Sequence, residues 1–600
     1  PLHVGARIGK ARVLVTRNQE QAALDLLEQA IGTAPVNGKF LWSSDAEKAD
    51  GFSVLGYVHE TRARLHLARK AYADALGNDP FRLEALLGAG RVMLRERRFA
   101  DGLARFESAL KIAEKKDVTV LGGRRASMEA RLGIGRSLLL TSRPQDAKER
   151  LAALAAECPT DAEIVMWLGK SDQDLGRSAD AEASYRKAME LAPTSFDAYL
   201  ALAQLYFNED KNEDAAVVLK EASQKVAETS EMRRMLGQSE LKRNQLENAI
   251  TEFQRALTLN PGDMDALFGM GIALRRHGRL DIAEQIFDRL GKQDKSYPGL
   301  PLERGLLFEA RGKFDLAAKA YQEALKQEPE NANLLLRLGA AEVALGDVDA
   351  AERTLEIVIR AAPNSAEAEY FIGRVAFARG QLAESLTHFD RAVSLDGTVG
   401  EFHLYAGWAA MEMGNLGRTL EEVQAAIDAD PSLGDAFWLR GVVRLRTGAV
   451  QDALLDVEHA LELKPSRTEA LAVMGDCYDQ LRILDRAISS YEKALRVESK
   501  RGHWWYRLGR LQLDAGHQAE GARALENATR IGDEEVRVPA WLADTHRLQG
   551  EALEGIGNQR AAIPHYQRFL ELAPDGAIDR KDVTKKLKKW GVELPDRGIH

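Results

Sequence analysis

Two stretches of the chain, AEIVMWLGKSDQDLGRSADAEASYRKAMELAPTS (162–195) and ANLLLRLGAAEVALGDVDAAERTLEIVIRAAPNS (332–365), align without a gap and stand five periods of 34 residues apart. From Ala162 that frame runs unbroken to residue 535 as eleven consecutive units, starting at 162, 196, 230, 264, 298, 332, 366, 400, 434, 468 and 502. Further units start at 4, 49, 83 and 128 on the N-terminal side and at 543 on the C-terminal side, sixteen in all. A unit this short cannot close a core of its own and must bury its apolar surface against the units before and after it. A chain of 600 residues is therefore expected to grow in one dimension, as a continuous array over 1–576, rather than divide into several globular domains. The frame breaks around 38–48, 117–127 and 536–542, where longer loops or extended helices are predicted.

Within a unit, positions 4, 7, 8 and 11 are mostly apolar or small, the spacing of one helix face. Position 8 is Gly in fourteen units, Gly169, Gly339 and Gly509 among them, and Ala in the other two. Glycine inside a helix costs about 1 kcal/mol relative to alanine, so its recurrence at one phase calls for a close helix–helix approach. Position 20 is small in all sixteen units, as at Ala181, Ala249 and Ala487, and position 24 carries residues such as Tyr185, Phe253 and Tyr491. A glycine at position 15, as at Gly278 and Gly346, suits the left-handed residue that ends a helix. Proline at position 32, as at Pro193, Pro261 and Pro363, closes ten units and stops the second helix. Each unit is thus predicted to be two antiparallel helices, roughly positions 2–14 and 17–30.

The order Trp-x-x-Leu-Gly, then Ala-x-x-x-aromatic, then Pro resembles the tetratricopeptide repeat. Trp505, Leu508 and Gly509 match its opening, and Tyr185 and Pro193 match its close. Ser385 and Thr419 at position 20, and Ser499 and Asp533 in place of proline, depart from it in single units. The resemblance covers nearly the whole chain. It implies an all-α fold, a right-handed superhelical solenoid of antiparallel helix pairs whose first helices line a concave groove. It also implies protein partners: peptide tails, helices or small GTPases.

The remaining chemistry of the sequence is sparse. Acids and bases are mixed along the chain with a net charge of −9, which argues against nucleic acid as the main partner. No apolar run approaches the ~18 residues of a membrane span. GAG (88–90), GIG (133–135) and GMG (269–271) look like fragments of a dinucleotide fingerprint, but they fall inside predicted helices and read as packing glycines. The twelve histidines are scattered in phase, and no metal site, cofactor or catalytic grouping is expected. The acids that recur at position 2, such as Glu163, Glu401 and Asp435, suit the first turn of a helix. Cys158 and Cys477 are expected to be unpaired, which favours the reducing cytoplasm; a signal peptide upstream of Pro1 would favour the periplasm instead. The chain opens on PLHVGARIGK without a methionine and is expected to be part of a longer protein. Residues 577–600 are predicted to form a capping helix and tail. The lysines around Leu587 could also meet an acidic partner or a membrane surface.

If positions 4, 7, 8 and 11 pack, then positions 2, 5, 9, 12 and 13 share the other face of the first helix. Early units carry mixed residues there: Ser53, Tyr57, Leu87, Arg91, Arg136 and Lys170. From residue 366 the face turns aromatic with interleaved arginine: Tyr370, Arg374 and Phe377, then Trp408 and Met411, Trp438 and Arg446, Tyr506 and Arg510. Such residues are enriched at interface hot spots, and these nine form the candidate partner site. In WWY (504–506), Trp505 at position 4 is expected to pack between its unit's two helices, Tyr506 to face the groove, and Trp504 to wedge against the preceding unit. The leading functional expectation is a non-catalytic scaffold. The resemblance allows the scaffolding of a bacterial machine such as a motility, secretion or envelope complex, and the composition, rich in Ala, Leu and Arg, suits a bacterial source. The alternatives are the substrate-recruiting arm of a larger enzyme, such as a glycosyltransferase, and a periplasmic assembly protein for exopolysaccharide export.

Overall fold

A computed structural model describes residues 4–31 and 44–593. Thirty-three helices follow one another among these residues, sixteen antiparallel pairs from Val4–Thr16 and Glu20–Ile31 to Leu542–Gly555 and Gln559–Leu572, then a last helix, Arg580–Lys589. No strand occurs among the described residues; an isolated antiparallel bridge joins Thr119 and Arg125. The chain divides into two compact units, Pro1–Leu300 and Pro301–His600.

Within a pair, the glycine at position 8 faces the large residue at position 24. A Cβ built on Gly271 would lie 2.3 Å from the Phe287 ring, and one on Gly305 would lie 2.3 Å from Tyr321. Gly373 and Phe389, and Gly550 and Tyr566, repeat the relation at 2.6 Å. The helical cost of glycine is therefore offset by the burial of a whole ring against bare backbone, about 2–3 kcal/mol for each such side chain. Tyr185, Phe287, Tyr321, Phe389 and Tyr566 are all fully buried. The doublets GAG and GMG serve two rings each, as Gly269 faces Phe253 of the preceding repeat and Gly271 faces Phe287 of its own; in GIG, Gly133 faces the Phe106 ring and Gly135 faces Leu151. Where position 24 is tyrosine, its buried hydroxyl needs an acceptor. Position 12 supplies one in four of the five cases: Tyr72 donates to Glu60 at 2.8 Å, Tyr185 to Gln173 at 2.7 Å, Tyr566 to Glu554 at 2.9 Å, and Tyr321 to Glu309, whereas Tyr491 donates to Asp476 at position 9, at 2.6 Å.

The turn between the paired helices is set by one residue, at position 15. Gly278, Gly346 and Gly448 stand there with φ of 82°, 75° and 86°. So do all seven non-glycine residues of positive φ among the described residues: Asn18, Ala63, Arg97, Ser142, Asp210, Asn244 and Arg482. The backbone demand persists where the sequence does not supply glycine.

The breaks in the repeat frame take different forms. Of 38–48, the part up to residue 43 lies outside the described residues; beyond it, Ser44 caps the helix Asp45–Thr61, accepting from the Glu47 amide at 3.2 Å. At 117–127 the insertion is a short turn closed by the Thr119–Arg125 bridge, with Asp117 accepting from the Ser127 amide and hydroxyl at 3.0 and 2.8 Å. At 536–542 the loop exposes Val536 and Val538 and delivers Trp541 against Gly502 and Gly532. The final helix, Arg580–Lys589, buries Val583 and Leu587, and Trp590 packs at 5.8 Å from the Tyr566 ring. Lys586 turns inward to Glu554 at 2.6 Å.

Candidate partner-binding face

The aromatic residues from 366 to 446 form a ladder built by successive first helices, Ala366–Ala378, Gly400–Glu412 and Gly434–Arg446. Tyr370 lies 5.0 Å from Phe402 and 5.4 Å from Tyr405, Tyr405 lies 5.5 Å from Trp408, and Trp408 lies 5.9 Å from Trp438. Centroid separations of this size are those of favourable tilted and edge-to-face pairs. Two guanidinium groups lie against the ladder. Arg374 sits 5.0 Å from the Tyr405 centroid and 5.7 Å from that of Tyr370, and Arg467 sits 4.0 Å from Trp438.

The nine residues singled out by phase divide into groups. Tyr370 and Met411 are core residues, 3% and 8% exposed; Phe402 and Tyr405 of the next repeat close over Tyr370 at position 5, and Met411 joins the core around Leu404 and Val423. Arg374, Phe377, Trp408 and Trp438 are half-buried, and Arg446 is exposed. Arg374 and Arg446 form no ion pair among the described residues, whereas the neighbouring Arg440 and Arg444 both hold Asp456. Arg510 is bound to Asp479, and Arg507 beside it to Asp476. Tyr506 stacks on Trp541 at 6.2 Å and donates to Asp544 at 2.9 Å, so the next repeat covers much of it. The ladder thus ends near Trp438, and a band of acid–arginine pairs separates it from Tyr506.

Of the aromatic row, Trp504 packs toward the preceding repeat with Arg501 5.3 Å over its ring. Trp505 stays half-buried, its indole donating to the Ser499 carbonyl at 2.8 Å. Sequence phase missed Tyr405 at position 6 and Arg467 at position 34. The first lies just outside the positions assigned to the face; the second stands in the linker before a helix, where helical periodicity carries no signal.

The first-helix face of the early repeats has another chemistry. Arg91 holds Glu60 at 2.8 Å and Glu129 at 3.2 Å, Arg124 holds Asp161 at 2.9 Å, and Arg136 holds Glu163 at 3.2 Å. Lys170 reaches Asp174 at 3.7 Å, Ser53 is tied to the Ala49 carbonyl at 2.6 Å, and Leu87 is buried. Tyr57 lies under Arg91 at 6.0 Å.

Burial raises the Tyr370 phenol well above the ordinary tyrosine value; burial and then Asp544 raise that of Tyr506. Burial, with Asp476 adding, lifts the Cys477 thiol to about 12, and burial lowers His503. These groups are uncharged at neutral pH, so the face offers rings, neutral hydrogen-bonding groups and arginine cations. Cys158 and Cys477 are both free thiols. No described helix is long and apolar enough to cross a membrane.

Helix pairs repeated at a fixed period, each buried against its neighbours, define an all-α helical repeat solenoid. Models of the tetratricopeptide repeat match residues 54–117, 173–238, 234–298, 309–374, 405–468 and 473–536, and the chain belongs to that family. Membership makes it a protein–protein interaction scaffold, of a fold that is typically non-catalytic. Over 136 residues the chain is 29% identical to the general transcriptional corepressor trfA of Dictyostelium discoideum; the match covers 22% of this chain and 10% of that protein's length. Among solved structures, it is similar to the APC/C hetero-tetramer Cut9-Hcn1, at 15% identity and a TM-score of 0.42 over 84% of this chain and 96% of that one. It is also similar to a tetratricopeptide repeat protein from Parabacteroides merdae, at 18% identity and a TM-score of 0.38 over 41% of this chain and 98% of that one.

Proposed function

We propose that the chain is a non-catalytic adaptor that holds a peptide or helical segment of another protein on the first-helix face between residues 366 and 446. Trp408, Trp438 and Phe377 act as anchors, and Arg374 and Arg446 pair with acidic side chains of the bound segment. Tyr370 and Met411 support it from beneath, while Tyr506 and Arg510, engaged by Asp544 and Asp479 beyond the acid–arginine band, lie outside it. The observation that carries this reading is the half-buried Trp408–Trp438 pair, continued through Tyr405 to Arg374, which has no carboxylate partner among the described residues. The two free thiols favour a cytoplasmic setting, where such an adaptor assembles a multiprotein machine.

The test is selection from a displayed peptide library against the full chain, followed by affinities for the selected peptides. Wild type is expected to enrich segments that combine an apolar residue with acids. Trp438→Ala should weaken them by at least about 30-fold, the scale of a hot-spot residue. Arg374→Glu with Arg446→Glu should lose the acidic class alone. Equal peptide sets and affinities for wild type and a folded Trp438→Ala chain would overturn the proposal.

A further inference from the structure

An open cleft lies away from the ladder. The helices Leu484–Val497, Gly502–Asp514 and Gln518–Asp533 border it, and its volume is about 570 Å³. Trp505, Leu495, Leu508 and Ala524 give it an apolar lining, and Gln512 lines it as well. Glu492 and Arg496 edge it from one second helix, Glu520 and Arg523 from the next.

Three observations bear on what it takes. The first is the indole of Trp505. Each of the other described tryptophans has a ring or a guanidinium close by: Arg136 is 4.9 Å from Trp167, Arg467 is 4.0 Å from Trp438, and Arg501 is 5.3 Å from Trp504. Trp408 pairs with Trp438, Trp541 with Tyr506 and Trp590 with Tyr566. Trp505 has neither among the described residues, and its ring lines the cleft while its N–H is fixed on Ser499. The second is Gln512, only 7% exposed, whose Oε1 has no hydrogen-bond partner. A buried acceptor left unpaired costs about 1–3 kcal/mol, so it calls for a donor.

The third is position 23. In three other repeats its side chain crosses to a polar partner at position 4: Glu252 to Arg233 at 2.9 Å, His388 to Glu369 at 2.8 Å and Glu422 to His403 at 2.8 Å. Here position 23 is Ala524, and the space beside Trp505 is open. Glu492 and Glu520 edge it without an ion pair among the described residues.

We propose that this cleft binds an arginine side chain of a partner protein. Its guanidinium plane lies on Trp505, one N–H is donated to Gln512 Oε1, and Glu492 and Glu520 neutralise the charge. The segment that carries it also presents carboxylates to Arg496 and Arg523. A planar cation is preferred to lysine because it stacks and donates in the same plane. Arg467 on Trp438 and Arg136 on Trp167 show the same contact made within the chain. The proposal does not depend on what occupies the ladder.

The probe is N-acetylarginine amide, added to the full chain labelled with 5-fluorotryptophan; the Trp505 fluorine resonance is assigned with Trp505→Phe. A saturable shift of that resonance is expected, with no shift at Trp438. N-acetylcitrulline amide, nearly the same shape without the charge, should leave Trp505 unmoved, and N-acetyllysine amide should bind several-fold more weakly. Glu492→Gln with Glu520→Gln, two substitutions at the cleft edge, should weaken the arginine probe by at least about tenfold. No saturable shift at Trp505, an equal shift with citrulline, or full binding by the double glutamine variant would overturn the proposal.

Discussion

The first-helix faces of residues 50–170 and 366–446 stand on the same backbone and differ in where their arginines go. In the early repeats Arg91, Arg124 and Arg136 each hold a carboxylate of a neighbouring repeat, and Arg12 holds both Asp50 and Glu84. In the later stretch Arg374 lies on tyrosine rings and Arg446 faces solvent. Acids occupy position 2 in both, so the acid supply is not the difference. What differs is that position 12, which carries Glu60 early on, carries Phe377 later, and Arg374 lies beside the Tyr370, Phe371 and Tyr405 rings. A face whose charges are matched inside the chain gains stability from them; a face where Arg374 rests on aromatic surface leaves that cation without a carboxylate among the described residues, as the proposed docking requires.

The largest effect expected from this contrast is at Glu60. It is 4% exposed, holds Arg91 at 2.8 and 3.0 Å and accepts from Tyr72 at 2.8 Å. Glu60→Ala leaves a buried guanidinium and a buried hydroxyl short of partners, at a cost of about 3 kcal/mol, the lower end for a broken buried pair because Glu129 remains. Amide hydrogen exchange should accelerate in the helices Asp45–Thr61, Leu65–Asn78 and Leu83–Arg95 and stay unchanged over 366–446, since a repeat array opens locally. A loss under about 1 kcal/mol would mean that the early network is ornamental. A smaller effect is expected at the ladder. Arg467→Met keeps an unbranched stem on Trp438 but removes the cation and its pair with Asp435. About 1 kcal/mol should be lost locally, read as faster exchange in Gly434–Arg446 and a red shift of tryptophan emission. An effect as large as that of Glu60→Ala would erase the contrast between the two faces.

Much of the fold is legible in the sequence because one period fixes it. The phase of Gly271 against Phe287, and the helix pair around each turn, follow from spacing alone. The site is less legible, because phase gives the direction of a side chain and not what the next repeat sets over it. Tyr370 and Met411 share the phase of Trp438, yet Phe402 and Tyr405 bury the first. Arg510 reads as a free cation until Asp479, 31 residues earlier, is placed beside it. Pairing at a separation near one period is the missing information, and position 12 shows that some of it could have been found. Glu60, Gln173 and Glu554 accompany a tyrosine at position 24, whereas Leu94 and Leu241 accompany phenylalanine at Phe106 and Phe253.

The smallest effect expected is also the one that should be equal in the two regions. Arg97 in the early repeats and Arg482 in the later ones both stand at position 15, with φ of 60° and 59°. Both are exposed, and Arg482 has only a 4.0 Å approach to Asp479. A side chain in the left-handed region costs about 1–2 kcal/mol, and glycine recovers that while adding some freedom to the unfolded chain. Arg97→Gly and Arg482→Gly should therefore each stabilise their own helix pair by roughly 0.5–1 kcal/mol, seen as slower amide exchange. If the turn is a property of the repeat and only the face differs between regions, the two gains agree. A gain at one site and a loss at the other would show that the backbone, and not just the side chains on it, has diverged between the charged face and the aromatic one.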